Sequence, residues 1–312
     1  MGTAVKADLD FAIRYGDVGR NVDQIAKDLT GLGIGIAAHC LGENSIDPTG
    51  ENQKDHVEID LQSDGGRERI HVKEAHGIGE RVFDEHALSV ASAGAPAIDF
   101  LSPDIYVANF TEWCAWYTQS GNLLFIPESR GDARGVANGI CAIGRHDAIG
   151  CSPFGLDRTA GPDTELARAC AVSSQVAELI LKNQGKGTMT VVVLEKEDPV
   201  PKLRLGNYIL RGRYSTRSFG PPVTPLERVA SLFIAAGPGD YVIVGRDMNV
   251  YFAAASDDSV SAGLGRVEKE TYVNGRWVAG RRLNGDETPE WKALRYPGDR
   301  YSIQRVKLYR CP

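Results

Sequence analysis

The feature that most constrains this chain is an alternation of predicted strands and helices between residues 85 and 183. Each short apolar run in this region is followed by a stretch whose apolar residues recur at helical spacing. The predicted strands lie in residues 97–106, 123–127 and 148–156, and the predicted helices in residues 85–93, 110–117, 132–146 and 164–183. Such alternation indicates βα units that build a parallel sheet or barrel.

The pattern changes after Gly187. Short runs that are mostly rich in Val, Ile, Tyr and Thr follow one another, separated by Gly, Pro and Asp, in residues 188–194, 208–214, 229–235, 241–244 and 250–254. This spacing predicts an antiparallel β-sandwich. A hairpin is predicted over residues 272–278, because Asn274-Gly275 favours a type I′ turn.

Residues 1–90 differ in charge from the rest of the chain. They hold 9 Lys and Arg against 17 Asp and Glu, a net charge of −8, whereas residues 91–312 hold 26 against 24, a net charge of +2. A helix is predicted over residues 22–29, a strand over 33–38, and a hairpin whose strands, residues 57–61 and 69–72, flank Ser63-Asp-Gly-Gly66. We therefore predict three segments: an acidic one over 1–90, βα units over 91–186 and a β-sandwich over 187–312.

Composition excludes several classes of function. The apolar fraction of 42% and charged fraction of 24% are those of a globular protein rather than a disordered or fibrous one. A net charge of −6 argues against a nucleic-acid partner, which requires a basic face. The six cysteines and the histidines lie at no metal-ligand spacing, so neither metal nor cofactor is predicted. No apolar run approaches a membrane span and the first residues lack the apolar core of a signal peptide, so we expect a cytoplasmic protein with no membrane partner.

The candidate for chemistry is Glu128, which ends the apolar run Leu123–Pro127 and precedes Ser129-Arg130-Gly131. An acid at the end of a buried parallel strand lies on the edge where α/β folds keep their catalytic groups. Two structural roles are equally compatible with this position. Glu128 would cap the following helix, or it would pair with Arg130.

Several ordered segments resemble glycoside hydrolase family 35, the β-galactosidase-like enzymes that carry an added C-terminal β-domain. The motifs Ala95-Pro-Ala-Ile-Asp-Phe-Leu-Ser-Pro-Asp-Ile-Tyr106, Phe110-Thr-Glu-Trp-Cys114, Gly121-Asn-Leu-Leu-Phe-Ile-Pro-Glu-Ser-Arg-Gly131 and Gly144-Arg-His-Asp-Ala-Ile-Gly-Cys-Ser-Pro-Phe-Gly155 look like the last third of that family's barrel. Residues 196–199, 281–288 and 303–309 look like its C-terminal domain. The resemblance covers about residues 90–312.

This resemblance implies that the three βα units are strands six to eight of a (β/α)₈ TIM-type barrel. It implies that Glu128 is the nucleophile of a retaining glycosidase, acting on a β-galactoside or related sugar without a cofactor. Tyr106 matches the position whose hydroxyl hydrogen-bonds the nucleophile and holds it ionised. Phe154, a predicted substrate-binding residue, and Trp113 are implied as apolar surface against a sugar, with a core role equally open for each.

The upstream part of that barrel is not recognisable. The family takes its acid/base from an Asn-Glu pair, and residues 1–90 contain no such dipeptide, so no acid/base is assigned. Five missing βα units would need about 150 residues, at roughly 30 each.

Three hypotheses for the function follow. The chain is a glycosidase; or it is a catalytically inactive, truncated remnant that binds carbohydrate or another partner; or its acidic segment forms a new arrangement with an unrelated activity. Three βα units do not close a barrel, so one edge of the sheet stays uncovered. A homo-oligomer that covers this edge is therefore a further alternative.

Overall fold

The computed structural model describes residues 36–41, 55–63, 66–75, 99–156, 161–196, 202–215, 226–273, 276–285, 288, 292–296 and 300–310. Their fold mixes α-helices with mainly antiparallel strands, which is consistent with the predicted mixture of helices and strands. The helices predicted over residues 22–29 and 85–93 lie outside the described residues. The chain divides into two compact units, the first formed by residues 1–129 and 148–153 and the second by residues 130–147 and 154–312.

The first unit contains six described strands and one α-helix. They are β1 (Ile36–Leu41), β2 (Asp55–Ser63), β3 (Gly66–Ala75), β4 (Phe100–Asp104), α1 (Phe110–Tyr117), β5 (Phe125–Ser129) and β6 (Gly150–Pro153), with a short 3₁₀ helix, Gln119–Gly121, between α1 and β5.

Parallel pairing runs through neighbouring strands of this unit. β1 pairs with β4, β5 pairs with β6, and Ile105 forms a parallel bridge with Ser129 directly after β4. The predicted hairpin of residues 57–72 is confirmed as β2 and β3, which pair across Asp64 and Gly65 and extend the same sheet from β1 in antiparallel sense. The described residues of this unit therefore contain four parallel strands where the sequence pattern predicted three.

Asn122 fixes the start of β5 relative to β4. Its side chain accepts a hydrogen bond from the backbone N–H of Leu101 at 2.7 Å and donates to the Leu101 carbonyl at 3.0 Å. It also donates to the carbonyl of Tyr117 at 2.7 Å, at the end of α1. The Asn122 amide thus provides hydrogen-bond partners for backbone groups of β4 and α1, as buried polar groups require.

The second unit contains two helices and ten strands among its described residues. These are α2 (Ala133–His146), α3 (Glu165–Asn183), β7 (Met189–Glu195), β8 (Lys202–Leu205), β9 (Tyr208–Tyr214), β10 (Arg228–Gly237), β11 (Asp240–Gly245), β12 (Met248–Ala254), β13 (Asp257–Val273), β14 (Arg276–Arg282), β15 (Ala293–Arg295) and β16 (Ser302–Arg310). The hairpin predicted at Asn274-Gly275 is confirmed, because Val273 pairs with Arg276.

These elements form three layers. Antiparallel pairing follows the order β7, β10, β11, β16, β13, β12, β9, β8. On one face of the first four strands, Val191 and Leu232 pack with Cys141 of α2 and Val176 of α3. The opposite face packs on the strands at the other end of the order, as in the edge-to-face contact of Phe233 with Phe252 at 6.5 Å. None of the described helices has the length and hydropathy that a membrane crossing requires.

Both helices of this unit begin at side-chain caps. Asp132 accepts a hydrogen bond from the backbone N–H of Gly135 at 3.0 Å, and Thr164 accepts one from Ala167 at 3.2 Å. Such caps satisfy amide groups that have no partner within the helix. Asp132 also pairs with Arg130, so both structural roles considered for Glu128 are filled by Asp132.

His146, at the end of α2, provides a test of packing in this unit. Burial lowers its pKa to about 4, with the charge of Arg145 adding to the effect and Asp147 opposing it. In the unfolded chain a histidine has a pKa near 6.5. Between pH 4 and 6.5 the unfolded protein therefore binds one proton more than the folded protein, and the free energy of unfolding falls as the pH drops through this range.

We therefore expect His146→Gln to remove about 2–3 kcal/mol of the acid-induced loss of stability. Urea denaturation of both proteins at pH 7 and pH 4.5 measures this difference. An equal fall in the free energy of unfolding in both proteins would show that His146 titrates normally in the folded state.

Candidate active site

The candidate site lies at the carboxyl ends of β4 and β5 in the first unit. Glu128 is the fourth residue of the five-residue strand β5, and its side chain is half-buried. The next residue, Ser129, is fully buried and bonds toward β6: its hydroxyl lies 3.4 Å from the thiol of Cys151 and 3.4 Å from the carbonyl of Ser152. These contacts hold the end of β5 against β6 and so fix the backbone that carries Glu128.

Tyr106 and Glu128 are in direct contact. The Tyr106 hydroxyl donates a hydrogen bond to Oε2 of Glu128 at 3.1 Å, across 22 residues of sequence. The pKa of Tyr106 is raised well above its ordinary value, first by burial of the hydroxyl, then by the Glu128 charge and hydrogen bond, and last by the charge of Asp104. The hydroxyl therefore keeps its proton at neutral and alkaline pH and remains a donor to Glu128.

The backbone register explains why these two side chains meet. The N–H of Ile105 donates to the carbonyl of Glu128 at 3.1 Å, and Ile105 pairs with Ser129. Side chains alternate between the two faces of a strand, so the residues before and after Ile105 share a face with Glu128. Those residues are Asp104 and Tyr106. Asp104, which is 5% exposed, lies on this face and was not singled out from the sequence.

The two aromatic candidates have different positions. Trp113 is 7% exposed and lies in the packed face of α1, where its ring stacks on Tyr117 at 6.3 Å. It is a core residue. Phe154 follows β6, belongs to the second unit and is 55% exposed.

Among the described residues, no group of three or more His, Cys, Asp or Glu side chains is arranged to hold a metal ion. Cys151 is a free thiol whose pKa is raised by burial, with the Ser129 hydrogen bond opposing the shift. The arrangement thus offers a carboxylate, a hydroxyl that donates to it and a second, buried carboxyl group.

Comparison with known proteins gives one family match. Residues 166–295 match a domain of unknown function, DUF5597. This region begins in α3 and ends in β15, so it covers most of the strands of the second unit. No curated protein matches the chain. The DUF5597 region does not include Tyr106 or Glu128, so the candidate site lies outside the matched residues.

Proposed function

We propose that this protein is a retaining glycoside hydrolase of the β-galactosidase type, with Glu128 as the nucleophile. The observation that carries the proposal is the hydrogen bond from Tyr106 to Glu128 at the ends of neighbouring parallel strands. Parallel strands with intervening helices bring catalytic groups together at their carboxyl ends. A half-buried carboxylate held by a hydroxyl donor at this edge has the exposure and orientation that a nucleophile requires.

The parallel strands support a barrel origin. β1, β4, β5 and β6 run in the same direction through successive pairings and the Ile105–Ser129 bridge. We assign β4, β5 and β6 to strands six to eight of a (β/α)₈ barrel, and the antiparallel strands of the DUF5597 region to a β-sandwich domain. In this assignment Glu128 lies at the end of strand seven.

The proposed reaction has two steps. A carboxylate oxygen of Glu128 attacks the anomeric carbon, a C–O ester bond forms, and the bond to the leaving oxygen breaks. Water then attacks the same carbon, the ester bond to Glu128 breaks, and the water releases a proton to solvent, so that the configuration is retained overall. Tyr106 orients the Glu128 carboxyl group through its hydrogen bond to Oε2.

Turnover of an activated aryl β-galactoside tests this proposal. Its leaving group needs little protonation, so the assay reports the nucleophile even when the general acid is weak. Steady release of the phenol by the wild-type protein supports the glycosidase. No release above the buffer rate would overturn it and favour the inactive remnant, which acts at most as a carbohydrate-binding or interaction protein.

Tyr106→Phe gives a graded test of the same site. A hydrogen bond to a charged group contributes about 1.5–3 kcal/mol, so we expect kcat/KM for the aryl galactoside to fall roughly 10- to 150-fold. Stability should hardly change, because Tyr106 is 40% exposed. Tyr309→Phe removes a hydroxyl from an exposed tyrosine of the second unit and serves as the control. Equal activity of both variants would show that the Tyr106 hydroxyl has no role.

A further inference from the structure

We propose that one sheet face of the second unit binds an acidic polysaccharide, a sugar chain that carries carboxylate or sulfate groups. Strands β8, β9, β12 and β15 build this face, and all four lie in the DUF5597 region. The residues of the candidate active site belong to the first unit. The positive charge of the face does not depend on the proposed function, and only the choice of a carbohydrate as its ligand rests on that proposal.

The cations of these four strands all lie on the same side. Side chains alternate along a strand, and residues directly opposite each other in antiparallel strands share a face. Leu210, Val250 and Leu294 point into the core between the two layers of strands. The residues that alternate with them point the other way, and the basic ones form what we call the basic face: Lys202, Arg204, Arg211, Arg213 and Arg295. The four strands contain no Asp or Glu.

Strand pairing arranges these cations in two dimensions. Lys202 is directly opposite Arg211, and Arg213 follows two residues later on β9. Asn249 of β12 pairs with both Arg213 and Arg295, so these two arginines flank it on neighbouring strands. Neighbouring strands are about 4.8 Å apart, and side chains on one face recur about every 6.8 Å along a strand. These spacings are comparable with the length of one sugar unit, so a chain with a charge on successive units meets successive cations.

Arg213 shows how one cation of this face is held for an anion. Its guanidinium carbon lies over the ring of Tyr251, 5.5 Å from the ring centroid. The face of a guanidinium contacts an aromatic ring, whereas its N–H groups lie in its plane and remain available to a carboxylate or sulfate oxygen. Arg213 is exposed and Tyr251 is half-buried. The contact therefore orients the donors before a ligand arrives, which reduces the entropy lost on binding.

The charge of the basic face contrasts with the rest of the protein. The chain as a whole carries a net charge of −6, and surfaces ordinarily mix both signs of charge. Elsewhere in the second unit, Arg305 pairs with Asp240 and Arg228 pairs with Glu195, each on a neighbouring strand. The strands of the basic face offer no such carboxylate to their cations. A field of one sign attracts polymers of the opposite charge.

The geometry favours a polysaccharide over other polyanions. Single-stranded nucleic acids bind largely by stacking bases on aromatic rings, and the one aromatic residue on this side of the four strands, Tyr251, has Arg213 over its ring. Extended peptides add to the edge of a sheet through backbone hydrogen bonds, whereas the cations here project from its face. The proposed glycosidase activity supplies the reason to choose a sugar chain.

Binding measurements on the full chain test this inference. Calorimetric titrations at low salt compare polygalacturonate, a sulfated galactan and a neutral β-galactan, so that carboxylate and sulfate ligands are distinguished. At least one acidic polymer should bind, the neutral one should not, and the affinity should fall as salt is added. Arg213→Gln should weaken binding of the acidic polymer about 10-fold, the scale of a hydrogen bond to a charged group. Arg276→Gln removes the same charge from an exposed position on β14, outside the basic face, and should bind like the wild type.

Three results would overturn the inference. They are no binding of either acidic polymer, equal affinity of Arg213→Gln and Arg276→Gln, and tighter binding of oligothymidylate or poly-L-glutamate than of both acidic polysaccharides. Turnover of the aryl β-galactoside, measured on the same samples, separates this inference from the proposed function. Turnover without polymer binding overturns the inference alone. Polymer binding that weakens in Arg213→Gln, in a protein without turnover, supports the basic face and overturns the proposed hydrolase.

Discussion

Replacing Glu128 with glutamine is expected to lower kcat for an activated aryl β-galactoside by at least about 10³-fold, the scale of nucleophile removal in enzymes with covalent intermediates. Glutamine has the same shape and still accepts the hydrogen bond from Tyr106, but its amide oxygen does not form the ester with the anomeric carbon. The loss should persist with the best leaving groups, because protonation of the leaving oxygen does not compensate for a missing nucleophile. Initial rates of phenol release measure it.

Glu112→Gln is the matched control. Glu112 is an exposed carboxylate of α1 in the same unit, hydrogen-bonded to Asn109 at 3.1 Å, and has no place in the site. Its substitution should leave kcat and KM unchanged. If Glu128→Gln and wild type release phenol at the same rate, Glu128 is not the nucleophile.

Glu195→Gln is expected to cause a large loss of stability. Glu195 ends β7 and its two carboxylate oxygens bind two arginines, Arg134 from α2 and Arg228 from the start of β10. Arg228 is only 7% exposed at its side chain. Removing one partner of a buried ion pair costs roughly 3–5 kcal/mol, because the remaining charge stays in a low-dielectric site. Since Glu195 is itself 23% exposed, we expect the lower end, about 3 kcal/mol.

This loss corresponds to a melting temperature roughly 6–12 °C lower, at about 2–4 °C per kcal/mol for a domain of this size. Calorimetry of Glu195→Gln against Asp163→Asn measures it. Asp163 pairs with Arg168 at 3.6 Å and is 94% exposed, so its substitution should change stability by less than about 1 kcal/mol. Equal melting temperatures for the two variants would contradict a stabilising role for the Glu195 cluster.

The longest strand shows why part of the fold was not predictable from the sequence. β13 runs for 17 residues and contains Gly263 and Gly265, which local rules interpret as interruptions of a strand. In the structure a Cβ atom at Gly263 would lie 2.2 Å from the ring of Tyr309 on β16. The ring of Tyr309, 46 residues later in the chain, lies over the backbone of Gly263, and a local pattern carries no information on that contact.

The strands around β10 were predicted correctly from the sequence because their apolar runs are continuous. Ala230, Leu232 and Ile234 face the helices, whereas Val229 and Phe233 face the second layer of strands. Burial on both faces explains why these residues show no alternation with polar ones. The sequence pattern gave the strand correctly, but the packing of α2 and α3 on it depends on contacts between distant parts of the chain.

Some residues of the candidate site were predictable from the sequence and others were not. Glu128 was predictable because an apolar run ends on an acid, and Tyr106 was assigned only through a family resemblance. Asp104 lies within the strand predicted over residues 97–106, but its position beside Glu128 depends on the register between β4 and β5. That register is fixed by backbone pairing across more than 20 residues, which no local spacing encodes.

Covalent trapping tests the central claim most directly. A 2-deoxy-2-fluoro β-galactoside with a dinitrophenyl leaving group forms the glycosyl-enzyme but slows its hydrolysis, because fluorine destabilises the positively charged transition state. We predict that the intact protein gains one fluorogalactosyl group, that peptide mapping places it on Glu128, and that Glu128→Gln gains none. A label on another residue, or the same label on Glu128→Gln, would contradict the assignment of Glu128 as the nucleophile.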